Sequence, residues 1–284
     1  MAACFPRFVR CAASLAFAFA SSAFAFDPPA AARPATVAGA SASYVYESVR
    51  GTDLTLDVVP AAGGPGPHAA IVLFFGGAWT TGNPAQFAPE AAYLAQRGMT
   101  VVLPDYRTIG RDHATPFDSM ADAAAAMRWV RGHAAQLGID AHRIAAGGGS
   151  AGGHLALATA VLPSAGAGSA SPDALVLFNP VVDTSSWTKQ FGSRAPDAAP
   201  LLHIHAGLPP TLILHGRADT TAPFAQVEAY CTAVRRNGDR CEVVGFEGAG
   251  HGFFNPVHGG GPGFEGSMRE AARFLGELGY LAPH

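Results

Sequence analysis

Charged side chains are scarce in this chain: they make up 14% of its 284 residues, against 49% hydrophobic ones. A chain of that length and balance can bury one large core, so a single catalytic-size domain is expected, and no internal repeat or interdomain linker divides it. Cysteine is nearly absent, with four in all. No Cys-x-x-Cys pair occurs, which removes thioredoxin-like redox chemistry and zinc-ribbon sites. No His-Glu-x-x-His spacing occurs either, so neither a metal nor another cofactor is expected. Positive charge is also in short supply: 18 Lys and Arg face 21 Asp and Glu, for a net charge of −3. Such a balance excludes nucleic acid and anionic membrane surfaces as natural partners.

Long apolar runs are missing as well. An apolar run, Cys11 to Ala20, follows Arg7 and Arg10 and precedes Ala23-Phe24-Ala25. It is too short to span a bilayer comfortably, so no stable membrane insertion is expected; the pattern is that of a secretory signal peptide over residues 1–25. The expected destination is outside the cell or the periplasm. Cleavage would remove two arginines and two cysteines, Cys4 and Cys11. The remaining pair, Cys231 and Cys241, lies across the Asn237-Gly238-Asp239 turn and is expected to form a disulfide in an oxidising compartment. Residues 26–43 read as an extended, poorly ordered leader, and 44–284 as the folded domain.

From residue 44 the pattern becomes informative. Tyr44 to Val49 and Leu54 to Val59 alternate like paired strands. Six continuous apolar runs follow, at Ala70 to Phe75, Thr100 to Leu103, Arg143 to Ala146, Ala174 to Phe178, Thr211 to Leu214 and Cys241 to Phe246. Helical patterns separate them at about 85–97, 117–137, 151–162, 222–237 and 264–279. Continuous rather than alternating runs mark strands buried on both faces, so the expected fold is α/β: a mostly parallel sheet with helices on both sides. Residues 179–210 break the alternation and are expected to form a small cap over the sheet.

The chain's chemistry centres on Gly148-Gly149-Ser150-Ala151-Gly152-Gly153, a Gly-x-Ser-x-Gly pattern between a strand and a helix. A nucleophile on so sharp a turn needs glycine on either side, and the helix behind it aims free N–H groups at developing negative charge. A serine hydroxyl also needs an imidazole to take its proton and a carboxylate to orient that imidazole. Asp219 follows one strand and His251 follows the next in a glycine-rich loop, giving the chain order Ser150, Asp219, His251. Asp183 rivals Asp219 for the acid, and His154, His203, His205, His215 and His258 rival His251; His215 reads as a buried, hydrogen-bonded structural residue. Gly77 and Ala78, after the Ala70 to Phe75 strand, together with Ala151 are the expected oxyanion-hole N–H donors. Trp79, Trp187, Phe253 and Phe254 are expected to narrow the acyl side of a substrate pocket.

Phe75-Gly76-Gly77-Ala78-Trp79, Asp105-Tyr106-Arg107, the Ser150 motif, His215-Gly216-Arg217-Ala218-Asp219 and Gly250-His251-Gly252-Phe253 together resemble the α/β-hydrolase esterases. The resemblance lies near the hormone-sensitive-lipase-like and the feruloyl/acetylxylan-esterase-like groups. It covers about residues 44–280 and implies a serine hydrolase acting on small-molecule or carbohydrate esters of short acyl groups, acetyl or feruloyl among them. Arg107 is then a structural anchor. One departure concerns the oxyanion loop, where the family's His-Gly-Gly-Gly-Trp becomes Phe75-Gly76-Gly77-Ala78-Trp79. Amide hydrolysis on the same fold is the alternative, and a non-catalytic binding module is disfavoured because all three triad candidates are present. The oligomeric state is not legible.

Overall fold

The computed structural model describes residues 1–2 and 32–281, with the side chains of 257–260 not described. The expected signal peptide, its cleavage site, Cys4 and Cys11 lie outside the described residues. Among the described residues eight strands form one sheet in the order β1-β2-β4-β3-β5-β6-β7-β8. They are β1 (Ala42–Val49), β2 (Thr52–Val59), β3 (His68–Phe74), β4 (Thr100–Pro104), β5 (Ile139–Gly149), β6 (Ala174–Phe178), β7 (Thr211–Gly216) and β8 (Cys241–Phe246). The β1–β2 and β2–β4 pairs are antiparallel, and every pairing from β4 through to β8 is parallel. Strands β4, β6 and β7 are buried at every position, because helices cover both faces of the sheet.

Among the described residues seven α-helices accompany the strands: α1 (Ala88–Ala95), α2 (Ile109–Asp112), α3 (Pro116–Gly132), α4 (Ala151–Val161), α5 (Thr188–Phe191), α6 (Phe224–Arg236) and α7 (Pro256–Glu277). The start of α3 has a local cause. Thr115 accepts from the Asp118 N–H while the Asp118 carboxylate accepts from the Thr115 N–H, and Pro116 supplies the first helical φ. Helix α4 runs through the most buried part of the molecule, with every residue from Ala151 to Thr159 buried. Its alanines and glycines let it lie close to β5. Because β4 lies on one side of β3 and β5 on the other, the chain reverses direction across the sheet between them. The loops after β3 and β5 therefore face each other over a crevice at the strand ends.

Two boundaries differ from expectation. The stretch read as a leader is packed over its described part. Arg33 bridges to Ser43, and the Asp57 carboxylate accepts from the N–H groups of Thr36 and Val37 and from the Thr36 hydroxyl. An alanine-rich, proline-containing run can thus be held by one buried acceptor without forming a strand. Helix α7 begins eight residues before the expected 264, through glycines and Pro262 that disfavour helix. Close packing prevails there: a Cβ at Gly263 would lie 2.2 Å from the Phe253 carbonyl oxygen. Residues 179–210, between β6 and β7, contain α5 and short 3-10 turns at Gly192–Ala198 and Pro200–Leu202. Cys231 and Cys241 are joined by a disulfide that ties α6 to β8.

Candidate active site

Ser150 sits between β5 and α4 with φ 52° and ψ −116°, a strained conformation for a residue with a side chain. The strain is held by close contact on both sides. A Cβ at Gly148 would lie 2.4 Å from the Phe74 oxygen, and one at Gly152 only 2.0 Å from the same atom. The Ser150 N–H donates to the Phe178 oxygen at 2.9 Å. Its hydroxyl makes no capping bond to α4 and meets the His251 Nε2 at 2.8 Å instead.

His251, in the turn after β8, has its Nδ1 2.7 Å from Asp219 Oδ2. Asp219 lies beyond β7 with its side chain fully buried. Its Oδ1 accepts from the N–H groups of Thr221 and Ala222. Burial pulls the Asp219 pKa up, but hydrogen bonds from His215, His251 and the Ala222 N–H outweigh it and hold the carboxyl well below the usual range. Asp219 is therefore an anion at neutral pH, and its bond to Nδ1 leaves Nε2 free to accept the serine proton. The His258 side chain lies outside the described residues, and among the described ones no other competing residue bonds the Ser150 hydroxyl. Asp183 closes a local turn onto the Ser185 N–H, and His154 bonds the Ala198 carbonyl oxygen. His215 is fully buried, its Nε2 2.8 Å from the Ala222 oxygen and 3.2 Å from Asp219 Oδ2. It thus braces the same carboxylate that His251 uses.

The loop after β3 approaches Ser150 with Gly77, Ala78 and Trp79 all at positive φ. Tyr106 stacks on Phe75 with ring centroids 4.0 Å apart and donates its hydroxyl to the Phe75 oxygen. The Gly76 N–H donates to Gln86 Oε1 at 2.6 Å, which removes it as an oxyanion donor. Gly77 and Ala78 line the cleft beside Ser150. Ala151 opens α4, where the first N–H groups have no acceptor within the helix. Arg107 binds the buried Asp122 at 2.6 Å and anchors the chain after β4.

A cleft of about 360 Å³ contains Ser150 and His251 and is walled by Trp187, Phe254, Gln86, Asn179 and Thr221. Trp79 and Phe253 do not line it, contrary to expectation. Trp79 is fully buried, edge-on to His154, Trp187 and Phe191 at 4.8 to 5.3 Å, because the left-handed turn at 78–79 carries its ring behind the loop. Phe253 packs on Phe246, with ring centroids 4.6 Å apart. Sequence reasoning missed Gln86 and Asn179. Asn179 follows β6 directly, and that strand-end position was a usable signal; Gln86 carries none. Among the described residues, no three His, Cys, Asp or Glu could hold a metal ion, and no helix is long and apolar enough to cross a membrane.

A mostly parallel sheet with serine, acid and histidine meeting in that chain order at its strand ends defines the α/β-hydrolase class. Comparison with known proteins narrows the class. The BD-FAE family matches residues 56–188. The thermophilic esterase 2 of the planctomycete Thermogutta terrifontis, bound to propionate, is 42% identical with a TM-score of 0.82, over 87% of this chain and 97% of that one. The same esterase phosphoramylated by tabun is 42% identical with a TM-score of 0.83, over 88% and 99% of the two chains. The probable carboxylic ester hydrolase LipM of Mycobacterium tuberculosis is 33% identical over 198 residues, 59% of this chain and 45% of LipM. The chain spans about half the length of the curated relatives it matches. On this sequence and structural similarity, the chain belongs to the α/β-hydrolase esterases of the hormone-sensitive-lipase-like group.

Proposed function

We propose that the protein hydrolyses short-acyl carboxylic esters through an acyl-enzyme on Ser150. The observation that carries this reading is the unbroken hydrogen-bonded chain from Asp219 through His251 to the Ser150 hydroxyl. His251 Nε2 takes the hydroxyl proton as Oγ attacks the ester carbonyl carbon. The N–H groups of Gly77, Ala78 and Ala151 hold the resulting oxyanion, each such donor contributing about 10²–10³ in rate. As the intermediate collapses, His251 returns the proton to the departing alkoxide, and Ser150 keeps the acyl group. Water then gives a proton to His251 and attacks the acyl carbon; the acid leaves, and the serine recovers its proton. Asp219 orients the imidazole and stabilises its cation throughout.

The cleft supports a small, uncharged substrate. Its walls carry no ionisable side chain except His251, and its volume is at the low end for ligand sites. The propionate bound to the Thermogutta esterase is consistent with a short acyl group. The BD-FAE match and the expected export together favour acetyl or feruloyl groups on carbohydrate as the natural esters, acted on outside the cell or in the periplasm. Purified protein should be assayed on p-nitrophenyl acetate, propionate, butyrate and octanoate, on acetylated and feruloylated xylan fragments, and on p-nitroacetanilide. Acetate and propionate should exceed octanoate by about 5- to 150-fold in kcat/KM, the range set by overfilling a rigid pocket. Preference for octanoate would refute the short-acyl reading, and preference for the anilide would make the protein an amide hydrolase.

A further inference from the structure

The triad as drawn leaves one polar group beside it unexplained. Asn179 is fully buried just after β6, lines the cleft, and has its amide nitrogen 3.3 Å from His251 Nδ1 and 3.2 Å from Nε2. Neither contact is an ordinary hydrogen bond, because both ring nitrogens already have partners, Asp219 at one and Ser150 at the other. A nitrogen in the ring plane at nearly equal distance from both would collide with Cε1 between them. The amide therefore lies over the face of the imidazole, an N–H to π contact.

The backbone supports the same placement. Asn179 has φ +36°, and its N–H is held by the Leu214 oxygen. The preceding residue, Phe178, accepts the N–H of Ser150. One short segment thus holds the nucleophile through its backbone and reaches the base through its side chain. The Asn179 Oδ1 has no hydrogen-bond partner among the described residues, so the amide is not explained as a satisfied core group. A buried, unsatisfied amide on strained backbone next to reacting atoms points to a functional constraint.

We propose that Asn179 is a positioning residue for His251: its carboxamide rests on the ring face and keeps the imidazole in the plane that joins Ser150 to Asp219. A ring fixed only at its two nitrogens can still tilt about the line between them, and the amide closes that freedom. The inference rests on the reading of Ser150 and His251 as nucleophile and base. The titratable groups around His251 are few. Asp219 faces it from the β7–α6 loop, with His215 bound to the same carboxylate, and Glu247, paired with Arg217, lines a separate hollow that His251 also borders. None of these touches Asn179 through a hydrogen bond or ion pair among the described residues.

Two substitutions test the proposal on p-nitrophenyl acetate. Asn179→Leu keeps the volume and removes the amide; kcat should fall about tenfold or more, a fraction of what a general base supplies, with KM within about twofold. Asn179→Asp keeps the shape and adds a negative charge over the ring, which stabilises the imidazolium. Because the reaction needs the neutral ring, the acidic limb of kcat/KM should move up by about one pH unit or more. A leucine variant that folds and keeps wild-type kcat overturns the proposal, and so does an aspartate variant whose acidic limb stays in place. Should the leucine variant not fold, the aspartate variant decides alone. Ser150→Ala and His251→Ala separate this inference from its foundation: if they remain active, the triad reading fails. If they are inactive while the Asn179 variants match wild type, only the role of Asn179 fails.

Discussion

Glu90 offers a stability prediction independent of the catalytic chemistry. It lies in α1, fully buried, and neither carboxylate oxygen has a hydrogen-bond partner among the described residues. Burial pushes its pKa up from 4.5 to about 8. Between those two values the folded chain keeps a proton that the unfolded chain has released. Stability contributed by the protonated group is therefore complete below 4.5 and declines as pH rises toward 8. At about 1.4 kcal/mol per pKa unit, the loss approaches about 4 kcal/mol near the upper end of the window. Glu90→Gln keeps the size of the side chain and removes its titration. His154, whose pKa burial lowers to about 4, weakens the fold in the opposite direction as pH falls, but it is common to both proteins and cancels in their difference. Urea unfolding should give wild type and variant stabilities within about 1 kcal/mol at about pH 5, with the variant ahead by about 3–5 kcal/mol near pH 8.5. A difference that does not change with pH would refute the reasoning.

Three further predictions concern structure and selectivity. Replacing Cys231 and Cys241 together by serine should lower stability by about 2–3 kcal/mol, measured by denaturant unfolding, and a non-reduced digest should give two separate peptides where the wild type gives one linked species. Phe254→Ala should raise the octanoate-to-acetate ratio in kcat/KM, since Phe254 walls the cleft. Trp79→Ala should instead cost about 3–5 kcal/mol of stability and depress all chain lengths together, because its ring fills the core behind the loop.

How much of this was legible beforehand depends on which physical signal a residue carries. Continuous apolar runs such as Ala174 to Phe178 and Thr211 to Leu214 mark double-sided burial, and both are strands with the same N-terminal limits in the structure. Ser150, Asp219 and His251 were readable because each follows a strand, and parallel strands bring their C-terminal ends to one edge. Side-chain direction was not readable. Trp79 and Phe253 stand one or two residues from site residues, yet a left-handed turn at Ala78 and packing on Phe246 carry them away from the cleft. Asn179 escaped notice because its significance depends on the imidazole it faces, which lies 72 residues further along the chain. The early start of α7 escaped because glycine and proline argue against helix locally, whereas the contact at Gly263 is tertiary.

The central claim is that Ser150 is the nucleophile and that His251 activates it. Incubation with a fluorophosphonate, followed by intact-mass measurement and peptide mapping, tests both statements at once. One adduct per chain should map to Ser150 in the wild type. Ser150→Ala should take up none, and His251→Ala should react more slowly by orders of magnitude, about 10³ or more. An adduct on another serine, or a His251→Ala variant that labels at the wild-type rate, would contradict the account.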